Sequence, residues 1–428
     1  MIKRFIKERI IKNMTGERKK KMSNVERNYQ AAKEAYARLG VDTDQVLEIL
    51  KKTPISVHCW QIDDLTGFEN PNSVLTGGIQ VTGNAPGKPT SKAEFMDNLN
   101  DALDLIPGNT KLALHAVYLE NNGRQIGRDE ILPEHFSGWV DYAKERGIGL
   151  DFNPTYFSHP MSDSGWTLAS QDEGIRQYWI EHGKRCRAIG EYFGRELGQT
   201  CITNHWIGDG CKDYTVDKLA PRLRLKDSLD QIFEKPIDRK YNIDSVESKL
   251  FGIGSESYVP GSHEFYTNYV MTSGKCIICM DTGHFHPTEM VSAKLSSYLA
   301  FNQEIMLHVS RPVRWDSDHV VMFDDETKAV MEEIVRCDAL DKVHIGLDYF
   351  DGSINRIAAT AIGARNARKA LLAALLQPSQ EMVRIEREGN FTKRLALVEE
   401  LKSMPLGFVW DKFCEMENVP GNEWIQKL

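Results

Sequence analysis

Short apolar runs and longer amphipathic stretches alternate along this chain regularly enough to indicate a fold class ahead of any single residue. The apolar runs are Ile55–Trp60, Leu112–Tyr118, Ile148–Phe152, Thr200–Trp206, Ile243–Glu247, Cys276–Asp281, Glu304–Val309 and Val343–Asp348, lengths that suit buried strands. Between them, apolar residues return every three or four positions over Lys92–Leu105, Pro133–Arg146, Asp172–Leu197, Pro221–Phe233, His263–Met271, Thr288–Phe301 and Asp325–Cys337, the spacing of one buried helix face. Eight strands alternating with helices predict an α/β fold, a parallel (β/α)8 TIM barrel. A doubly wound sheet would use the same elements. It gathers its site at one switch point, however, whereas the polar residues of interest here close four different strands.

Additional N- and C-terminal helices flank this pattern. Val25–Leu39 and Thr43–Lys52 precede the first strand, and Ile354–Leu376 and Met382–Cys414 follow the last. The predicted organisation is a basic N-terminal extension over residues 1–21, a catalytic barrel over 22–353 and a C-terminal helical extension over 354–428 that covers the barrel or serves assembly. The segment 70–89 is rich in turn formers, with glycines at 77, 78, 83 and 87. It matches neither phosphate-binding glycine motif, and its place after the first strand predicts a rim or lid.

Charge narrows the choice of partners. The formal net charge is −8 over 428 residues, but residues 1–21 hold nine Lys or Arg against two Glu, so the remainder carries −15. So acidic a body is a poor partner for phosphate backbones, and no nucleic acid is expected. No apolar run approaches the roughly eighteen residues of a membrane span, and there is no secretory h-region. The expected location is cytoplasmic, with no membrane partner. The first 21 residues read either as a basic amphipathic helix that touches a membrane surface or as a stretch ahead of a start at Met14 or Met22. Cys276 and Cys279 form a C-x-x-C, but three residues apart on a strand they face opposite sides, which predicts two buried thiols and not a redox pair.

The candidate chemistry lies where the later strands end. Asp281, His284 and His286 follow one apolar run in D-T-G-H-F-H, and His308, Asp316 and Asp318 follow the next in H-V-S-R-P-V-R-W-D-S-D. Glu247 and Lys249 end a third in V-E-S-K, and Asp348 closes H-I-G-L-D. Barrel enzymes keep their chemistry at these strand ends. Taken alone, each position reads equally well as a helix cap or a turn residue. Together, Glu247, Asp281, His284, His308, Asp316, Asp318 and Asp348 are too many ligands for one octahedral ion and enough for two. Carboxylates and imidazoles without thiolates favour Mn²⁺, Mg²⁺ or Co²⁺ over a structural zinc. Lys249 offers a positive charge to a substrate oxygen, or alternatively a salt bridge to the surplus carboxylates. A metal-dependent phosphodiesterase would need a basic groove, and a non-catalytic metal-stabilised sugar-binding protein would not explain Lys249.

Long uncommon strings then give a resemblance. S-V-H-C-W-Q-I-D-D (56–64), G-F-E-N-P (67–71), S-K-L-F-G-I-G (248–254), D-T-G-H-F-H-P-T-E (281–289) and H-V-S-R-P-V-R-W-D-S-D-H-V-V (308–321) resemble the L-rhamnose isomerase family, from about Val25 to the C-terminus. The resemblance implies a (β/α)8 barrel, usually a homotetramer, that interconverts L-rhamnose and L-rhamnulose with Mn²⁺, or with Co²⁺ or Zn²⁺ at one of two sites. Carried over by position, it implies one metal on Glu247, Asp281, His308 and Asp348 and a second, catalytic metal on His284, Asp316 and Asp318. The mechanism it implies is a metal-mediated 1,2-hydride shift, as in the related xylose isomerases. Trp60, Trp206 and Phe68 are candidates for the wall that receives the sugar's methyl end, with rim packing as their alternative role. His115 is a candidate to bind a ring oxygen. In this family, the loop carrying the residue that matches Phe68 comes from a neighbouring subunit. His286 is expected beside the ligands and not among them.

Overall fold

A computed structural model describes residues 23–69, 81–121, 123–249, 256–286, 288–314 and 316–428. Eight parallel strands close in sequence order: β1 (Ile55–His58), β2 (Thr110–His115), β3 (Gly149–Asn153), β4 (Cys201–Trp206), β5 (Asn242–Glu247), β6 (Ile277–Asp281), β7 (Ile305–Val309) and β8 (Val343–Leu347). β1 pairs with both β2 and β8, so the sheet has no free edge. The expected barrel is therefore present. Two strands end before their apolar runs do. β1 stops at His58 because the chain turns at once, with Asp64 and Leu65 in the left-handed region. β2 gives way after His115 to a single 3₁₀ turn, Ala116–Tyr118. Residues 1–21 and most of the predicted rim loop, 70–80, lie outside the described residues.

Helices α1 (Asn24–Ala37) and α2 (Thr43–Lys52) precede the barrel. The outer layer then holds α3 (Lys92–Leu103), α4 (Ser137–Arg146), α5 (Glu173–Leu197), α6 (Leu219–Ile232), α7 (His263–Ser273), α8 (Ser292–Leu299) and α9 (Asp325–Arg336). Their starts follow ordinary capping chemistry: Asp172 accepts from Ile175 N at the head of α5, and Asp324 from Thr327 N at the head of α9. Helix α10 (Arg356–Leu375) packs on α9, α3, α2 and β1. It follows β8 and takes the eighth place in the ring, although the sequence pattern puts it outside the barrel count. The remaining C-terminal segment divides into α11 (Ser379–Arg387), α12 (Phe391–Leu401) and α13 (Leu406–Met416). Gly389, at φ +71°, and Pro405 before α13 make the breaks. Among the described residues, no helix is long and apolar enough to cross a membrane.

α5 lies against the barrel with glycines where it approaches most closely. A Cβ on Gly194 would collide with the backbone of Tyr241, and one on Gly190 with the side chains of Asn242 and Thr203. Hydrogen at these positions lets the helix axis come that near to β4 and β5.

The strands alternate, and the inward positions are graded from bottom to top. Ile202, Ile243, Ile277, Cys279 and Met306 fill the lower interior as one apolar cluster. Outward residues such as Ile278, Met280 and Leu307 join the large core beneath the helices. Two positions further along the inward faces, polar side chains replace apolar ones: Ile277 and Cys279 lead to Asp281, Ile243 and Ser245 to Glu247, and Met306 to His308. Strand register puts Asp281 opposite His308 and Glu247 opposite Cys279. Cys276 joins the outer core and Cys279 the barrel interior, both as free thiols, as their spacing predicts.

Candidate metal centre

At the C-terminal mouth, ligand atoms of Glu247, Asp281, His308 and Asp348 lie within 4.8 Å of one another, and those of Asp281, His284 and Asp316 form a second such group. Asp281 belongs to both. His308 Nδ1 is 3.0 Å from Glu247 Oε2 and 3.2 Å from Asp348 Oδ2. His284 Nε2 is 3.1 Å from Asp316 Oδ2, and its Nδ1 is 3.4 Å from Glu247 Oε1. Asp318 is not in either group, but it lines the same cavity on a backbone at φ +45°. Cys279 Sγ also lies within 4.8 Å of the Glu247 and His308 ligand atoms. Burial pushes its thiol far above the ordinary range, so it stays protonated and a poor ligand beneath the carboxylates.

Neighbouring side chains aim the ligands. Ser245 Oγ donates to Asn204 Oδ1 at 2.6 Å, and Asn204 Nδ2 donates to Glu247 Oε2 at 2.5 Å. Gly283 N donates to Asp281 Oδ1 at 2.6 Å, and Trp60 Nε1 to Asp348 Oδ1 at 3.0 Å. The opposite atoms are left over: Glu247 Oε1, Asp281 Oδ2, His284 Nδ1, His308 Nδ1 and Asp316 Oδ1 are buried and make no aligned hydrogen bond, although both imidazole nitrogens stand close to carboxylate oxygens. Five orphaned donor atoms in one small volume are an expensive arrangement in a protein interior unless something positive sits among them. This donor set fits divalent cations.

The electrostatics agree. Burial acts against charge on His284, but Asp281, Asp316 and Glu247 outweigh it and hold the imidazole well above its ordinary pKa. At His308, burial is likewise overcome, by the Glu247 and Asp348 carboxylates. Burial, reinforced by Glu247, Asp316 and Asp348, lifts Asp281 to about 8 despite His284. Burial also lifts Asp318 well above the carboxylate range, together with Asp316, Asp348 and Asp281. Asp348 goes the other way, to about 2, because His308 overrides its burial. The crowded carboxylates thus favour positive charge among them.

The cavity above these groups is lined by His115, Asn153, Phe157, Trp206 and Phe350, together with Glu247, His284, His308, Asp318 and Asp348. Trp60 is fully buried behind it, edge-on to His115 at 4.4 Å. His115 Nδ1 bonds Thr155 Oγ1 at 2.8 Å, and burial drives its pKa down to about 3. Lys249 does not line the cavity: its ammonium donates to Gly208 O at 3.0 Å and to Glu256 Oε1 at 2.5 Å, and stands 5.6 Å from the Trp206 ring centre. β5 ends at Glu247, so strand alternation no longer governs where Lys249 points. Phe68 packs among Phe95, Tyr118 and Trp139, away from the cavity of its own chain. His286 is exposed, with Nδ1 on the Thr288 hydroxyl.

Sequence reasoning missed Asn204 and Ser245, although each precedes a singled-out residue by two positions on the same strand face. It also missed Asn153, Phe157 and Phe350. Asn153 carried the available signal, a polar residue closing an apolar run.

Comparison with known proteins places the chain among its relatives. The sequence profile of the L-rhamnose isomerase (RhaA) family matches residues 23–428. The L-rhamnose isomerase of Mannheimia succiniciproducens is 55% identical over 408 residues, 95% of this chain and 97% of that protein. Those of Listeria monocytogenes serotype 4a and Escherichia coli O7:K1 are 53% and 52% identical over 407 residues, 95% of this chain and 96% and 97% of theirs. Among solved structures, a putative sugar phosphate isomerase/epimerase from Anabaena variabilis is similar at 12% identity and a TM-score of 0.46, covering 75% of this chain and 98% of its own. On the profile match and the identity of the named relatives, the chain belongs to the L-rhamnose isomerase family.

Proposed function

We propose that the chain interconverts L-rhamnose and L-rhamnulose by moving a hydride between C2 and C1 of the open-chain sugar, the O2 proton ending on O1. The observation that carries this reading is the convergence of two ligand groups, with five orphaned buried donor atoms, at the floor of one aromatic-walled cavity. Glu247, Asp281, His308 and Asp348 would hold one divalent ion, and His284, Asp316 and Asp318 the other. Mixed carboxylate and imidazole donors suit Mn²⁺, with Co²⁺ or Zn²⁺ as alternatives at one of the two sites. When bound, such ions polarise the sugar carbonyl and its neighbouring hydroxyl and lower the cost of charge on both oxygens.

The chain's own side chains orient the sugar and exclude water. Trp206, Phe157 and Phe350, backed by Trp60, form the apolar wall for the methyl end. His115 is neutral at working pH, and its bond to Thr155 through Nδ1 leaves Nε2 for a sugar oxygen. Lys249, clamped by Glu256 and Gly208, supplies positive charge behind Trp206. A hydride shift needs no free carbon base, which suits a cavity whose carboxylates are all assigned above to one ion or the other.

The same reading includes a cytoplasmic homotetramer in which the loop that carries Phe68 serves a neighbour's cavity, and an N-terminal stretch, 1–21, without a part in turnover. Assembly is supported by Tyr214, Val216, Leu219 and Leu223, which are 83%, 86%, 65% and 56% exposed at one end of α6 and the loop before it. The test is ketose formation from L-rhamnose in D₂O with Mn²⁺. The expected product carries no solvent deuterium at C1. Deuterium at C1 would replace the hydride shift with an enediol route, and no ketose would overturn the assignment.

A further inference from the structure

Arg128 lies outside the metal centre, in a 3₁₀ turn, Arg128–Glu130, between β2 and α4, and is 2% exposed. All five of its guanidinium N–H groups are engaged. Nε donates to Glu69 Oε1 at 3.1 Å and Nη2 to Glu69 Oε2 at 2.8 Å. Nη1 donates to the carbonyls of Thr155 and Phe157, each at 2.6 Å, and Nη2 also reaches Ser158 O at 3.2 Å. Its backbone is fixed as well: Arg128 N donates to Tyr178 Oη at 3.0 Å, and Arg128 O meets His182 Nδ1 at 2.8 Å.

Three carbonyls from a four-residue turn therefore converge on one planar cation. That turn needs holding, because Thr155 and Ser158 sit at φ +64° and +52°, a region non-glycine residues avoid. Such backbone persists where its surroundings over-determine it, and often beside a functional site. This turn is beside one. Thr155 Oγ1 is 2.8 Å from His115 Nδ1 and accepts from Ala116 N at 3.0 Å, while the Phe157 ring lines the cavity edge-on to His115 and Trp206.

We propose that Arg128 is a positioning residue for the sugar: by gathering the Thr155, Phe157 and Ser158 carbonyls it fixes the hydroxyl that orients His115 and the ring that walls the cavity. It sets affinity for the aldose without touching the metal ligands. Lysine has three donors on a flexible stem and cannot span the same five acceptor positions. This inference rests on the isomerase reading above.

The test uses the Mn²⁺-loaded enzyme with L-rhamnose and three variants: Arg128→Lys, Thr155→Val and the double variant. A loosened wall and a freed imidazole should cost roughly ten- to hundredfold in kcat/KM, the scale of an ångström-sized misplacement. The loss is expected in KM, with kcat changed less than about threefold and the Mn²⁺ content of wild type retained. The double variant should be no worse than about threefold beyond the poorer single one, because both act on the one turn that carries Thr155 and Phe157. Thr155→Val preserves side-chain shape, so it stands as the test if Arg128→Lys does not fold. Unchanged KM in Thr155→Val, or multiplicative losses in the double variant, would overturn the inference while leaving the isomerase reading intact. A wild-type enzyme inactive on L-rhamnose would sink both.

Discussion

Lys249 and Glu256 form a buried ion pair, Nζ to Oε1 at 2.5 Å, with side chains 0% and 11% exposed. The pair stands beside the Trp206 wall, so the charge of Lys249 has two separable uses. If it stabilises the sugar oxygens during hydride transfer, Lys249→Met should lower kcat by roughly two to three orders of magnitude at unchanged metal content. If it only neutralises Glu256, the substitution should lower thermal stability, and Glu256→Gln should restore it in the double variant. Measuring kcat, Mn²⁺ content and Tm on one preparation separates the two. Full metal with near-normal turnover ends the catalytic role.

Metal removal should silence the enzyme and soften it. EDTA-treated protein is expected to be inactive and to recover better with Mn²⁺ or Co²⁺ than with Ca²⁺, because the two imidazoles favour transition ions over a flexible all-oxygen site. Ion at a hundredfold its Kd should add about 2.7 kcal/mol of stability, read as a rise in Tm. Equal recovery with Ca²⁺ would count against the ligand assignment.

Trp60 tests how far the ligand geometry depends on its support. Its indole N–H donates to Asp348 Oδ1 at 3.0 Å, and the residue is fully buried. Trp60→Phe keeps an aromatic ring but drops that donor. Loss of such outer contacts typically costs roughly ten- to hundredfold in metal affinity or activity, about the size expected here. Mn²⁺ titration of the metal-free variant checks it, and an unchanged Kd would show that Asp348 is held by other means.

His58 makes the fold acid-sensitive. Burial lowers its pKa to about 4; its Nε2 meets Tyr349 O at 2.8 Å, and its Nδ1 is buried without a partner. The folded pKa lies below the unfolded value, so the folded chain resists a proton that the unfolded chain takes up. Stability from this group is present above about pH 6.5 and is lost as pH falls toward 4, amounting to about 2 kcal/mol by pH 5. With metal removed from both proteins, His58→Gln should lose less Tm between about pH 7.5 and 5 than the wild type does. Parallel pH profiles would refute the assignment.

What was legible in the sequence followed from periodicity. Buried strands end in polar residues on a fixed parity, so the pattern of residues alone places Glu247, Asp281 and His308 on one inward face. Asp316 and Asp318 were legible only through their motif, since they lie on irregular backbone beyond β7. Contacts made outside regular structure were not legible. Lys249 leaves its strand two residues too soon for alternation to place it, and Phe68 turns into an aromatic cluster built by α3 and α4. Arg128 reads locally as an ordinary charged loop residue, and nothing nearby announces that carbonyls 27 to 30 residues later will fold back onto it. Helix α10 was misplaced for a related reason: a buried alanine-rich helix shows little contrast between its faces.

The glycines of α5 bear on the centre from the far side of the sheet. A methyl at Gly194 would have to push away the carbonyl of Tyr241, the residue just before β5. β5 is paired to β4 along its whole length, from Asn242 at its foot to Glu247 at its tip. Close approach of this helix to the foot of β5 therefore depends on two missing side chains, on a helix that does not line the cavity. Mutational tolerance should be low there even for the smallest possible change, one added carbon, at positions that a survey of the cavity would pass over.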